Sequence, residues 1–226
     1  MSVGGRRLGI KKIRNGEARE SIMGLIRTNL ATSKRYDATS GPYLATSAPY
    51  DFSNSNHQTP VPLSRQSPSQ IAVAEVVQRF KQNVEAVDGH CIVVQSEDEV
   101  EESVKRIVEG KRIATANGPR SDLFKSDVGI TSAQAGIAET GTLVLDSSVE
   151  RNRLVSLVPP IHIAILNASR IFQTLGETLA ALQSGEEVSP AITFITGPSR
   201  TADIELTLAI GVHGPQELYV IVVQNN

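Results

Sequence analysis

The segment Cys91-Ile-Val-Val-Gln-Ser-Glu-Asp-Glu99 joins a short apolar run to a sequence that can open a helix. Residues 91–95 have the length and the β-branched content of a buried strand. Ser96, followed three residues later by Glu99, forms a capping box, whose two side chains satisfy backbone N–H groups at a helix start. The segment therefore predicts a strand and then a helix that extends to about Glu109.

The same alternation of strand and helix patterns continues on both sides of this segment. Before it, apolar residues at helical spacing predict a helix over residues 71–84. After it, the sequence predicts strands over residues 111–116, 128–131, 142–145, 162–167, 191–196 and 218–223, and helices over residues 132–138, 174–183 and 201–211. Strands and helices that alternate at these lengths indicate parallel crossover units. We therefore expect an α/β fold with an open, mainly parallel sheet flanked by helices.

The composition limits the class of protein. The chain has 226 residues, of which 40% are hydrophobic and 20% charged, and this favours one folded domain with a tail. Its single cysteine, Cys91, excludes a disulfide framework and a cysteine-ligated iron–sulfur cluster within this chain. No apolar run is long enough for a membrane helix, and no signal peptide is recognisable. We expect a cytoplasmic protein without a membrane span.

The charge is distributed unevenly along the chain. Residues 1–35 carry nine Lys and Arg against two Glu, a net charge of +7, so the remainder carries −9 of the overall −2. An acidic body, with 4% aromatic residues and no Trp, argues against a nucleic-acid partner. Ile22, Ile26 and Leu30 lie on one side of a predicted short helix, which needs its own body, a second copy or a partner subunit to cover it.

These patterns divide the chain into three parts. Residues 1–30 are a basic amphipathic N-terminal arm, which we expect to dock on a partner. Residues 31–69 are rich in Ser, Thr and Pro, and predict a flexible linker. Residues 70–226 are predicted to form the α/β domain.

The stretch Ala191-Ile-Thr-Phe-Ile-Thr-Gly197-Pro-Ser-Arg-Thr-Ala-Asp-Ile-Glu205 predicts an anion site. Gly197 and the following Pro break the strand, and Ser199 or Thr201 can cap a following helix. Free amides at the positive end of that helix, together with Arg200, would attract an anion. The carboxylate of Asp203, near the same end, would interact favourably with the helix dipole. Ordinary turns and helix caps have the same composition, so a purely structural role stays open.

A second candidate is Glu139, which lies in a turn between a segment of small residues and a strand. Partly buried, it could act as a nucleophile or base, but it could equally hold the turn by accepting backbone N–H bonds. His162, inside an apolar strand, is interpreted as a core histidine. His213 lies at the predicted helix end. There it is either a cation favoured by the helix dipole or a residue that contacts a ligand. No metal-ligand spacing is visible.

Several of these motifs together resemble the lactate-utilisation protein C family, whose core is the LUD domain. The resemblance rests on Asp127-Val-Gly-Ile-Thr131, Ile137-Ala-Glu-Thr-Gly-Thr-Leu-Val-Leu145, Leu157-Val-Pro-Pro-Ile-His-Ile163, Gly197-Pro-Ser-Arg-Thr-Ala-Asp-Ile-Glu205 and Gly211-Val-His-Gly-Pro215, and covers residues 70–224. It implies the fold shared by ribose-phosphate isomerase, glucosamine-phosphate deaminase and coenzyme A transferases. It also implies a role in oxidising L-lactate to pyruvate, beside two partner proteins that carry iron–sulfur clusters.

The resemblance makes this chain the cluster-free component, which would bind a small carboxylate or phosphorylated ligand. Its expected ligand-binding residues are Thr140, Gly141, Thr142, Gly197, Ser199, Arg200, Thr201, Asp203 and His213. One alternative is an independent isomerase or acyl-CoA transferase, because Glu139-Thr140-Gly141 looks similar to the nucleophile turn of family I coenzyme A transferases. Another is a structural subunit without ligand. The cofactor is unknown, and a homo-oligomer stays open.

Overall fold

The computed structural model describes Gly24 and residues 73–114, 120–150, 152–183, 189–202, 208–210 and 213–224. The predicted arm and linker lie outside these residues, apart from Gly24, which is helical and exposed. Asp203 and Gly211 also lie outside them.

The described elements alternate as the sequence predicts over most of the chain. The helices are α1 (Val73–Ala86), α2 (Glu97–Val108), α3 (Arg120–Leu123) and α4 (Leu175–Gln183), with 3-10 turns at Arg153–Ser156 and Ala168–Arg170. The strands are β1 (His90–Val94), β2 (Val128–Ala133), β3 (Ala135–Ile137), β4 (Thr142–Asp146), β5 (Ile161–Asn167), β6 (Ile171–Phe172), β7 (Ile192–Ile195), β8 (Arg200–Ala202), β9 (Leu208–Ile210) and β10 (Glu217–Val223).

Four strands form a parallel sheet, sheet A, in the order β1-β10-β5-β2. Its inner strands are continuous apolar runs, as expected for strands buried on both faces. On one face α1 contributes Phe80 and Val84 to a core cluster, and on the other α2 contributes Val100 and Val104 to a second cluster. The α/β fold with a parallel sheet flanked by helices is thereby confirmed.

The predicted capping box opens α2. Ser96 is the N-cap, and its Oγ accepts a hydrogen bond from the N–H of Glu99 at 3.3 Å. The Glu99 carboxylate reaches back to the N–H of Gln95 at 2.9 Å, one residue before the cap. Both side chains therefore satisfy backbone donors where the strand passes into the helix.

The predicted helix over residues 132–138 is wrong, because this segment passes from one sheet to another. β2 belongs to sheet A, and after Gln134 the chain continues as β3 in a second sheet, sheet B, with the order β6-β3-β4-β7. The small residues that suggested a short helix instead let the layers approach closely. A Cβ on Gly136 would come within 2.8 Å of the Leu166 side chain.

The predicted helix over residues 201–211 is also wrong where it is described. β8 pairs antiparallel with β9 in a two-stranded sheet, so Thr201 lies in a strand and caps no helix. The predicted strand over residues 111–116 is reduced to a parallel bridge between Ile113 and Val128 in its described part. In both places the backbone conformation depends on the segment with which the chain pairs, and the local sequence pattern does not reveal that segment.

Replacing Gly129 tests how the chain covers the edge of sheet A. A Cβ on Gly129 would lie 1.9 Å from the backbone oxygen of Val155, so Gly129→Ala must displace the 3-10 turn that packs on β2. We expect the free energy of unfolding in urea to fall by about 1–3 kcal/mol, the cost of overpacking.

The matched control is Gly176→Ala in the first turn of α4, where only the Thr174 hydroxyl lies within 4 Å. This change should leave stability unchanged or raise it by up to about 1 kcal/mol, because Ala favours helix. Equal stability of the two variants would contradict the described packing.

Candidate functional site

Two predicted turns meet at the carboxyl end of α1. Gly141, between β3 and β4, has φ +65°, and a Cβ there would lie 2.4 Å from the backbone nitrogen of Val84. Gly197, after β7, has φ +74°, and a Cβ there would lie 2.6 Å from the backbone oxygen of Val87. Both positions require glycine for its positive φ and for the close approach of backbone. The two turns are therefore held against one short stretch of chain.

Three threonine hydroxyls connect these turns. The Thr142 hydroxyl lies 2.6 Å from that of Thr140 and 2.7 Å from that of Thr196, which precedes Gly197. Thr142 is buried, whereas the other two threonines are exposed. A line of hydroxyls thus runs from the interior to the surface, and each can donate or accept a hydrogen bond.

Glu139 contacts the start of α4. Its Oε1 accepts a hydrogen bond from the N–H of Leu175 at 2.8 Å, and its own N–H donates to the carbonyl of Gln173 at 3.1 Å. A carboxylate at a helix N-terminus satisfies an unpaired donor and is favoured by the dipole. The structural alternative for Glu139 therefore has a specific contact, although the residue is exposed and open to a ligand.

Arg200 binds the connection between α1 and β1. Its guanidinium forms an ion pair with the carboxylate of Asp88 and donates to the carbonyl of Val87 at 3.3 Å. The Asp88 side chain is 73% exposed, and its backbone has φ +60°. Because the expected helix is a strand, the positive charge of this turn comes from Arg200 and not from free helix amides.

The remaining predicted residues divide into two groups. The N–H of Ser199 donates to the carbonyl of Pro215 at 2.8 Å, so the turn that holds His213 adjoins the Gly197 turn, and His213 itself is exposed. The side chain of Thr201, and all of Asp203, lie outside the described residues. The structure therefore gathers the Glu139 and Gly197 turns around α1 and places the His213 turn beside the latter.

The site does not lie where parallel sheets usually bind ligands. Such sheets bind them beyond the carboxyl ends of the strands, and we expected both turns there. Val87 and Asp88 instead lead into the amino end of β1. That expectation is wrong for these two turns, since the chain had already left sheet A at Gln134.

The sequence patterns did not predict a buried polar network around Gln134. The Gln134 side chain donates to the carbonyl of Ser132 at 2.7 Å and accepts from the N–H of Asp146 at 2.6 Å. The Nε of Arg170 donates to the backbone oxygen of Gln134 at 3.1 Å. A glutamine among small buried residues was the signal, because its amide needs partners when buried.

Glu150 extends this network at the carboxyl end of β2. Its Oε1 accepts a hydrogen bond from the N–H of Ser132 at 2.7 Å. Burial raises the pKa of the Glu150 carboxyl, and the hydrogen bond from Ser132 offsets part of this effect. Glu150 is thus a second carboxylate with a structural contact.

His162 is a core residue, as predicted, and is fully buried. Its Nε2 lies 2.8 Å from the Thr131 hydroxyl, and burial lowers the pKa of the imidazole from 6.5 to about 4. In the part of the chain that the structure describes, no three His, Cys, Asp or Glu side chains form a group that could hold a metal ion. Nor does any described helix have the length and apolar character needed to cross a membrane.

The low pKa of His162 predicts a loss of stability in acid. The unfolded chain binds a proton on this histidine below pH 6.5, whereas the folded chain stays neutral until about pH 4. Stability is therefore present above pH 6.5 and falls as the pH drops towards 4, by up to about 3 kcal/mol.

Urea unfolding of the wild type and His162→Gln at pH 7 and pH 4.5 measures this contribution. Glu150 acts with the opposite sign, since a raised carboxyl pKa adds stability that is lost as the pH rises, but it is common to both proteins. The wild type should lose more stability in acid than the variant, and identical losses would contradict the assignment.

Comparisons with known proteins cover part of the chain. The LUD domain family model matches residues 114–223. A lactate utilization protein C of Halalkalibacterium halodurans is 33% identical over 162 residues, 57% of this chain and 70% of that protein. An uncharacterized protein of Neisseria meningitidis serogroup B is 44% identical over 98 residues, 43% of this chain and 42% of that protein.

A solved structure supports the fold. The crystal structure of a DUF162 family protein from Deinococcus radiodurans superposes with a TM-score of 0.54 at 24% sequence identity, covering 68% of this chain and 99% of that one. The solved protein thus corresponds to a part of this chain, and the likeness concerns the fold alone.

Proposed function

The chain belongs to the LUD domain family, and we propose that it is the cluster-free component of an L-lactate utilisation system. The observation that carries this proposal is the 33% identity to a lactate utilization protein C over 70% of that relative's length. Other relatives with the same name, from Bacillus licheniformis and Deinococcus radiodurans, are each 38% identical over shorter stretches. The matches to these two relatives span less than half of each relative. Lactate oxidation to pyruvate is therefore part of the proposal and not an established property of this chain.

The cysteine count supports a division of labour between this chain and iron–sulfur partners. Cys91 is buried, and burial raises the pKa of its thiol to about 12, so it is a poor metal ligand. One such thiol cannot hold a cluster that usually requires four ligands. Electrons removed from L-lactate would therefore pass to clusters held by partner proteins.

Affinity capture tests the proposal. The tagged full chain, captured from cells grown on L-lactate, should bring down iron-containing proteins and an L-lactate oxidising activity, and the same chain expressed alone should have neither. Capture from cells grown on glucose is the control for non-specific binding. L-lactate oxidation by the chain alone would contradict its proposed role.

We place the ligand of this component at the Gly141 and Gly197 turns. Arg200 supplies a positive charge there, and its partner Asp88 belongs to the same chain and is largely exposed. Exposed ion pairs contribute little to stability, so a ligand carboxylate or phosphate can replace Asp88 at modest cost. The hydroxyls of Thr140 and Thr196 add neutral hydrogen-bonding groups beside this charge.

Two substitutions of opposite effect test the anion site. Arg200→Ala should weaken binding of L-lactate or inorganic phosphate by up to about tenfold, because it removes a charge-assisted contact of roughly 1.5–3 kcal/mol, part of which is offset by the displaced contact with Asp88. Asp88→Asn should strengthen binding, since it removes the competing carboxylate. Isothermal titration of the full-length variants measures both effects.

The matched control is Arg112→Ala. Arg112 forms another exposed ion pair, with Asp127 at 3.0 Å, at the start of β2. Arg112→Ala should leave ligand binding unchanged. Equal affinities of wild type, Arg200→Ala and Asp88→Asn would show that the ligand does not bind at these turns. That result would not affect the capture of partner proteins.

An acyl-CoA transferase is the second candidate, and Glu139 is the residue on which it depends. Its exposure leaves the carboxylate accessible, but the hydrogen bond from Leu175 engages one of its oxygens. That contact favours a role in holding α4. A covalent acyl adduct on Glu139, detected by mass spectrometry, is the result that the transferase requires.

A further inference from the structure

Exposed apolar side chains are concentrated on one layer of the domain. Among the described residues, seven large hydrophobic side chains are exposed, and four of them belong to α4 and β7. These four are Leu175 at 43%, Leu179 at 36%, Ile192 at 36% and Phe194 at 44% exposure. We call them the α4–β7 face. Single exposed apolar residues are ordinary, but a group on one layer indicates a surface that binds something.

The strand register places Ile192 and Phe194 on the outer side of sheet B, the side that α4 covers. Phe194 lies beside Val144 on the neighbouring strand, and Val144 packs in the same cluster as Leu182 of α4. Ile195, the next residue, packs instead on the inner core. Because β7 is the last strand of sheet B, no described strand pairs with its outer edge.

The surroundings of this face are acidic. Residues 134–150 and 171–199, which supply sheet B and α4, contain six Asp and Glu and no Lys or Arg, and two of these six, Asp146 and Glu150, are buried. Glu139 and Glu177 are exposed, and Glu186 and Glu187 follow α4 in the sequence. An occupant of the α4–β7 face should therefore combine an apolar stripe with positive charge.

We propose that the N-terminal arm, residues 1–30 of the same chain, docks on the α4–β7 face. The arm has seven Lys and Arg against two Glu, a net charge of +5, and Ile22, Ile26 and Leu30 form one apolar stripe at helical spacing. An amphipathic helix that lays its apolar side on an exposed hydrophobic surface is a common recognition mode. The charge of the arm complements the acidic surroundings of the face.

The length of the intervening chain permits this docking. Residues 31–72 have a root-mean-square span of about 35 Å if they behave as a flexible chain. The folded part of about 150 residues has a radius of gyration of about 15 Å, so the arm reaches every side of it. Such a tether gives an effective concentration in the millimolar range, which favours docking within one chain over docking between chains.

A second copy of the domain is a poorer occupant. Two α4–β7 faces brought together across a two-fold axis would oppose acidic side chains to acidic side chains, which is unfavourable. Docking of the arm also hides its apolar stripe. An iron–sulfur partner that binds the arm, under the proposed function, must therefore compete with the α4–β7 face.

Limited trypsin digestion of the full chain tests the docking without any partner. Cleavage after Arg19 and Arg27 within the arm is followed by mass spectrometry, and cleavage after Arg65 in the linker is the internal reference. Phe194→Ser and Leu179→Lys should each speed cleavage in the arm at least fivefold relative to the reference. Sodium chloride at about 0.5 M should do the same in the wild type, because it screens surface charges.

Phe124→Ser is the matched control, since Phe124 is 75% exposed at the end of α3, outside this face. It should leave arm cleavage unchanged. Equal cleavage in all four proteins would overturn the proposal. So would protection that disappears on dilution, which would assign the face to a second copy. Leu179→Lys, at an exposed position of α4, keeps the test valid if Phe194→Ser unfolds the domain.

Discussion

The side-chain amide of Gln134 holds the two sheets together at the point where the chain passes between them. It accepts from the N–H of Asp146 in β4 and donates to the carbonyl of Ser132 in β2. The chain passes from sheet A to sheet B a second time between β5 and β6. Arg170, which lies in this second connection, donates a hydrogen bond to the backbone carbonyl of Gln134. Each of these buried groups would cost about 1–3 kcal/mol if it lost its partner.

These hydrogen bonds around Gln134 determine where the candidate site lies. Once β3 has entered sheet B, the turn before β4 comes to the carboxyl end of α1, where Gly141 lies against Val84. β7 pairs with β4 in sheet B, and Gly197 consequently lies against Val87. The site is therefore built by the second sheet against a helix of the first, and not at the carboxyl edge of sheet A.

Local sequence patterns predicted those parts of the fold that depend on local patterns. The apolar runs of β1, β5 and β10 and the capping box of α2 have periods and caps that are readable in isolation. β3 and the pairing of β8 with β9 do not, because small residues carry no periodicity and pairing depends on distant partners. For the same reason Gly141 and Gly197 were found as turn residues, whereas Asp88, more than a hundred positions from Arg200, could not be recognised as its partner.

The electrostatics of the site argue for a weakly held ligand. The positive end of α4 already holds the Glu139 carboxylate, and the turns lie at the carboxyl end of α1, which is the negative end of its dipole. Arg200 must therefore offset an unfavourable helix end, and it is shared between Asp88 and the Val87 carbonyl. An anion gains only the difference between its own contact with Arg200 and the one that it displaces. An anion that binds these turns, as the proposed function requires, would therefore be held weakly and released readily.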